Sequence, residues 1–490
     1  MDADRGQQFV MTVHLRRITL PILGLLLASG MTDLAAAQDL PRLQQLKAQS
    51  EAGQAQAMVE LGRRYEVGEG TPVDVKQAAE WYRKAAGAGD PAGMARLATL
   101  HLQSPVIERS ESKAYQLLLK AAEAGHTPAL SRLGVLYARG GLGLKRDARR
   151  AVTLFRKAAE MGDAVGMINL ADALLVGFGL EPSEQQAEDW FIKARDRYQR
   201  LVDAGDADGI IGLAEMYRDG RGVEVDWSKA ASLYRRATEL GRTDAMLALA
   251  SVYLSNGTGA ADEKQGITWL MEAAQRGSPD AMVLLAVAYR IGKGMEQNDS
   301  RSLELVRRAA ELGHADGMVL LAQRYDNGRG VERDGPQAVE WYLKAAGLGD
   351  TQAMVALGEK HLEGSDVEKD VGKSATLFRS AAEQGDPSGA FLLAEAYSAG
   401  IGVEQDHAQA AHWYYRAAYD GHASGMYRLG AIYGEGRGIE KDVTQAAFWY
   451  RAAARLGHAD AMKALAEAYR QGIGVEKDDA KAAEWLAKSK

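Results

Sequence analysis

The sequence predicts an all-α fold, an α/α solenoid superhelix of about twelve 36-residue helix-turn-helix repeats. Three observations carry that expectation. A glycine element returns at Gly53, Gly89, Gly125, Gly162, Gly205, Gly241, Gly277, Gly313, Gly349, Gly385, Gly421 and Gly457, and nine of the eleven spacings are 36 residues. Inside an interval, apolar residues recur at helical spacing. Met318, Leu321, Ala322 and Tyr325 fall at i, i+3, i+4 and i+7, and Ala338, Trp341, Tyr342 and Ala345 repeat the pattern in the second half. Finally, the 54 glycines are enough to end every helix, while the 10 prolines are too few to break them.

Taken in order, residues 1–37 read as a signal peptide. Arg16 and Arg17 precede an apolar run from Ile18 to Ser29, and Ala35-Ala36-Ala37 supplies small residues for cleavage after Ala37. The run is too short to span a bilayer as a helix. The start is Met1 or Met11. Residues 38–52 form a lone capping helix, and residues 53–490 hold the twelve repeats. Each repeat consists of helix A, a glycine turn, helix B and a glycine stop. One helix pair cannot bury both its faces, so stacked repeats share a core through nearest-neighbour contacts. With helices packing roughly 8–10 Å apart, the stack predicts a right-handed superhelix on the order of 100 Å long.

Comparing the repeats with one another identifies the core. Eight residues after the anchor glycine every repeat has Leu, from Leu61 to Leu465, which reads as a core knob. Four and nine residues after it, every repeat has Gly or Ala, which implies a neighbouring helix too close for anything larger. Nine of the 16 methionines sit five residues after the anchor, including Met58, Met94, Met318 and Met462, as core filler.

The polar recurrences have structural readings. GEG (68–70), GRG (220–222), GKG (292–294), GRG (328–330), GIG (400–402), GEGRG (434–438) and GIG (472–474) follow a helix rather than a strand. They lack the Lys-Ser/Thr of a phosphate loop and read as left-handed helix ends. Asp74, Asp226, Asp334, Asp370, Asp406, Asp442 and Asp478 precede helix B as N-caps. Asp90, Asp163, Asp206, Asp350 and Asp386 stand in the same relation to helix A, with His126, His314, His422 and His458 as alternatives there. His101 and His361 replace the usual Tyr of helix A. His407 and His412 are i,i+5 apart, a poor spacing for a shared metal on one helix face, and no HExxH occurs. No cysteine is present, which removes thiol chemistry, disulfides and a bacterial lipoprotein anchor. A net charge of −7 gives no basic footprint for nucleic acid. No cofactor, metal or catalytic residue is expected.

Three repeats depart from the pattern. The fourth carries seven extra residues near EPSEQQAEDWFIKARDRYQRLVDAGD, about two helical turns, which should lengthen helix B without losing phase. The second (HLQSPVIERSES) lacks the glycine turn and the ninth (HLEGSDVEKD) keeps half of it. At the C-terminus, WLAKSK closes the last helix B.

The consensus A-M-x-x-L-G/A-x-x-Y-x-x-G-x-G-V-x-x-D-x-x-x-A-x-x-W-Y-x-K-A-A-x-x-G, seen almost in full in GMYRLGAIYGEGRGIEKDVTQAAFWYRAAARLG, resembles the Sel-1-like repeat, a relative of the tetratricopeptide repeat. The resemblance covers residues 53–490. It implies a non-enzymatic protein-protein interaction scaffold or adaptor, periplasmic or secreted. Assembly of an envelope or exopolysaccharide export complex is the first expectation, and a periplasmic regulator of a sensor kinase is the alternative. A cell-wall-directed hydrolase and a secreted host-interacting effector are the readings from other classes. A partner is not periodic, so its contacts should fall where repeats differ. Positions seven and ten after the anchor vary most, and they give Glu60, Arg63, Arg96, Arg132, Asn169, Asp172 and Arg428 as candidate residues for a protein partner on the concave face.

Overall fold

The computed structural model describes residues 32–140, 146–256, 260–292 and 295–489. Among them are 25 α-helices and no strands. The first repeat sets the pattern, with helix A Ala55–Val67 and helix B Val75–Gly87. Contacts divide the chain into two compact units, residues 1–332 and 333–490. No described helix is long and apolar enough to cross a membrane. A helix Thr32–Glu51 precedes the first repeat and packs on it through buried Leu43 and Ser50. The expected cleavage position after Ala37 falls inside this helix. The rest of the expected signal peptide, residues 1–31, lies outside the described residues, as does part of the GKG turn.

Close helix approach builds the core of each unit. All twelve recurrent leucines are buried. A Cβ added at Gly93 would lie 2.6 Å from the Ala85 Cβ, and at Gly389 2.6 Å from that of Ala381. Both distances are shorter than carbon atoms tolerate, so helix B of one repeat meets helix A of the next across paired small residues. Within a repeat, the Gly or Ala nine after the anchor faces the aromatic ring of helix B, as Gly62 faces Tyr82 and Gly358 faces Phe378. Met58, Met318 and Met462 are buried and Met94 is half-buried.

The turns follow their predicted chemistry. Gly328 ends its helix at φ 61° and Gly330 follows at φ 78°, both left-handed. The second glycine of a turn also permits a contact. At Gly402, φ is 72° and a Cβ would stand 1.9 Å from the Val371 carbonyl oxygen, at the start of the preceding helix B. All seven predicted aspartates before helix B accept a hydrogen bond from the first-turn backbone. So do the five before helix A. His314, His422 and His458 cap through Nδ1, which accepts the N–H of Gly317, Gly425 and Ala461. His126 is the exception: its Nδ1 is buried without a hydrogen bond, so the equivalence with aspartate fails at that one turn.

The irregular repeats have local solutions. In the fourth, helix B runs Glu184–Asp203, 20 residues against the usual 13. That is the predicted lengthening, with Phe191, Ala194, Tyr198 and Val202 still buried. In the second and ninth, the lost turn glycines coincide with histidine in place of tyrosine. His101 Nδ1 lies 2.9 Å from the Glu108 carbonyl oxygen and His361 Nδ1 3.1 Å from that of Glu368. A carbonyl only accepts, so Nδ1 carries the proton and each buried ring ties down the loop that lacks its glycine. In the ninth turn Asp366 takes φ 62°, the one positive φ outside glycine among the described residues. Its carboxylate accepts from Lys360 at 2.9 Å and from Arg333 at 3.1 Å, and those bonds offset a backbone conformation that asparagine and aspartate tolerate best.

Two outcomes follow from this packing. Gly402→Ala should cost about 2 kcal/mol or more, because it adds a backbone clash to the left-handed strain, whereas Gly385→Ala should cost about 1 kcal/mol from strain alone. Gly385 has φ 83° and nothing within 4 Å of an added Cβ. Urea unfolding of both variants checks the order, and equal losses would reject the close approach. For Asp366, the hydrogen bond from Lys360, its charge and that of Arg333 hold the carboxyl below its ordinary value. A carboxyl depressed by folding adds stability above the unfolded pKa of about 4, and loses it as pH falls through the folded value. Asp366→Asn should therefore flatten the acid limb of stability below about pH 4. Identical urea midpoints against pH for variant and parent would contradict it.

Candidate interaction surface

Helix A of the first repeat carries Glu60 and Arg63, joined at 2.8 Å, and Arg63 also reaches Glu69 at 2.7 Å. Helix A of the second repeat, Pro91–Gln103, carries Arg96. Its guanidinium lies 3.6 Å from Glu66 and 3.6 Å from Asp208, three repeats further along the chain. Asp208 pairs with Arg242 at 2.6 Å, and Arg242 with Asp244 at 2.7 Å. Burial pushes the Asp208 carboxyl up, but Arg242 and Arg96 outweigh it and hold the group below its ordinary value. Arg242 itself is 4% exposed. Side chains of the first, second, fifth and sixth repeats thus meet in one ionic network. Two backbone bonds accompany it, Val73 N–H to the Arg276 carbonyl at 3.0 Å and Ala315 N–H to the Pro105 carbonyl at 2.7 Å. In residues 1–332 the chain therefore winds back on itself after five to six repeats.

The remaining candidates have different surroundings. Arg132 is half-buried in the third repeat. Asn169 is half-buried, and its amide nitrogen has no hydrogen bond. Asp172 lies 3.5 Å from Arg221; burial pushes its carboxyl above the ordinary value and Arg221 offsets this only in part. Arg428, in the second unit, is exposed and pairs with Glu395 at 2.8 Å. The structure thus brings Glu60, Arg63 and Arg96 together and leaves Arg132, Asn169, Asp172 and Arg428 outside that network. Two open grooves lie at the turns of the fourth and fifth repeats. One is lined by Arg195, Tyr217, Glu224 and Trp227 and the other by Leu175, Glu188 and Phe191. His412 stands exposed and edge-on to Trp413 at 5.2 Å. Among the described residues no three His, Asp or Glu side chains are grouped to hold a metal ion.

A second surface was missed by comparing A helices alone. Helix B of the tenth repeat, His407–Tyr419, and of the eleventh, Val443–Arg455, are joined by an aromatic line. Tyr419 stacks on Tyr415 at 6.3 Å, Tyr415 meets Trp449 edge-on at 6.1 Å, and Trp449 meets Phe448 at 5.1 Å. A signal was present in the sequence: these two helices contain no Asp or Glu, unlike every other helix B.

Comparison with known proteins agrees with this architecture. The Sel1 repeat model matches twelve segments, from 55–90 through 459–490. The SLR-fold protective antigen c5321 of uropathogenic Escherichia coli is 30% identical, covering 91% of this chain and 94% of its own, with a TM-score of 0.47. The secretory immunoglobulin A-binding protein EsiB of Escherichia coli O6:H1 is 45% identical over 65 residues, 12% of this chain and 13% of that protein. The chitin synthase regulator SKT5 of Saccharomyces cerevisiae is 28% identical over 121 residues, 24% of this chain and 16% of that protein. The chain spans less than a quarter of the length of each of these two curated relatives. With twelve Sel1 repeats matched between residues 55 and 490, the chain belongs to the Sel1 repeat family, whose members are in general protein-protein interaction scaffolds.

Proposed function

We propose that the protein is a non-enzymatic scaffold that is exported, cleaved after Ala37, and holds an extended protein partner along the side of the solenoid formed by its A helices. The observation that carries this reading is the fate of the recurrent polar residues. The recurrent aspartates hold backbone amides at helix starts, as do three of the four anchor-following histidines. That leaves the non-periodic residues for recognition. Arg132, Asn169, Asp172 and Arg428 differ in charge and type from one repeat to the next, as contacts to a non-repeating partner should. Shallow, open concavities suit a polypeptide draped over a surface better than a small substrate that must be enclosed.

The process we favour is assembly of an envelope or exopolysaccharide export complex, with regulation of a periplasmic sensor kinase as the alternative. A second reading is a secreted host-interacting effector. It is favoured by the 45% identity to a protein named for binding secretory immunoglobulin A, over a segment of 65 residues.

Photo-crosslinking amino acids at Arg132, Asp172 and Arg428, introduced singly in the producing cell, should each capture a protein partner. The exposed Lys157 on an outer B helix should capture none. Equal adducts at Lys157 and the A-helix positions would reject the surface. The mature protein should begin at Gln38 on N-terminal sequencing, and its recovery from periplasm or from culture medium separates the two readings.

A further inference from the structure

We infer that the B-helix surface of the tenth and eleventh repeats is a second docking site, specific for an acidic protein segment with apolar anchors. The inference rests on the scaffold reading and adds the chemistry of one partner. Tyr415, Tyr419 and Phe448 are 45%, 42% and 55% exposed. Exposed rings of this size form a patch only when neighbouring repeats place them side by side, and the Tyr419–Tyr415–Trp449–Phe448 line does so across two helices. Solenoid stability does not require it, because the buried faces of the same helices, through Ala410, Ala411, Tyr414, Ala446 and Ala447, already make the core. Exposed aromatic side chains beside arginines are the composition of interface hot spots.

Charge identifies the occupant. Arg416 and Arg455 are exposed on these helices, and neither forms an ion pair among the described residues. No carboxylate lies between His407 and Tyr419 or between Val443 and Arg455. In a chain with 66 acidic residues, these two helices carry arginine without a carboxylate of their own, and Asp406, Asp420 and Asp442 stand only at their ends. Carboxylates match the fork-shaped donor set of a guanidinium. Two free arginines fall short of the roughly 4–8 clustered cations that hold an anionic membrane, and of the phosphate-neutralising stripe that holds nucleic acid. An isologous second copy would set this arginine-bearing surface against a copy of itself, with no carboxylate within either helix to pair with Arg416 and Arg455. Each helix is 13 residues, about 20 Å long, so a partner helix of about four turns would cover the line.

The test uses the full mature chain and fluorescein-labelled amphipathic 20-residue peptides that share Leu and Phe anchors and carry Glu, Gln or Lys on the other positions. Fluorescence anisotropy should show the Glu peptide binding roughly tenfold or more tighter than the Gln peptide, with the advantage shrinking as salt is raised. The double variant Arg416→Gln/Arg455→Gln should bind Glu and Gln peptides alike. Tyr415→Ser/Phe448→Ser should weaken both peptides, with far-UV circular dichroism melts unchanged because all four residues are exposed. Absent binding of the Glu peptide, or a Lys peptide bound as tightly, overturns the inference. So does preferential binding of phosphatidylglycerol vesicles or a single-stranded oligonucleotide, or a patch-dependent dimer in light scattering. Crosslinking at Arg132, Asp172 and Arg428 that persists in those circumstances leaves the scaffold intact and removes only this site.

Discussion

The fold depends on how closely helix B of one repeat approaches helix A of the next. At Gly93, Gly166 and Gly389 an added Cβ would come within 2.6–2.7 Å of an alanine Cβ on the preceding helix. That contact fixes the distance between repeats, and with it the positions of everything else. The invariant leucine fills the space beside it. The aromatic residue of helix B, Tyr82 or Phe378, lies over the second small residue. Once this spacing is set, the turn has to deliver helix B in one orientation only, and a left-handed glycine followed by an aspartate cap is the shortest way to do so. The long helix Glu184–Asp203 fits because its seven additional residues add two turns and return the same face to the core.

A consequence is that the residues which recur most carry the least functional information. The aspartates at helix starts look like catalytic carboxylates in a sequence, yet their oxygens are occupied by amide protons one turn on. The histidines divide in the same way. His101 and His361 stand where two repeats lost turn glycines, and each ties its loop to helix A through Nδ1.

Helices, caps and the inserted turns were legible because each is set by residues within one repeat length. The phase of Gly, Leu and Asp over 36 residues contains that information twelve times over. Two features were not legible for the opposite reason. The Arg96–Asp208–Arg242 network joins positions more than a hundred residues apart, and periodicity says nothing about how far the solenoid turns per repeat. Asp366 was hidden because only the backbone shows that it occupies a glycine's conformation. The aromatic line was half visible. The missing carboxylates of two B helices could be read directly, but the ring contacts needed the registration of neighbouring helices. His126 shows the limit of arguing by position: it sits at a capping site and does not cap.

The two units distribute stability differently, and this bears on how each meets a partner. In residues 1–332 the bonds Val73–Arg276 and Pro105–Ala315 and the buried Arg242 connect repeats that are far apart in sequence, so curvature there is held by contacts beyond the nearest neighbour. A partner lying along that part meets a preformed path, and little ordering entropy opposes its binding. In residues 333–490 the described cross-repeat pairs, such as Thr351–Asp386 and Arg428–Glu395, join adjacent repeats only. The stability of such a stack is a sum of nearest-neighbour terms. The exposed rings at Tyr415 and Phe448 stand on that segment, on helices whose described ties reach only the neighbouring repeats. Curvature held by long-range ties suits an extended chain, whereas an exposed aromatic line over two helices suits a short segment.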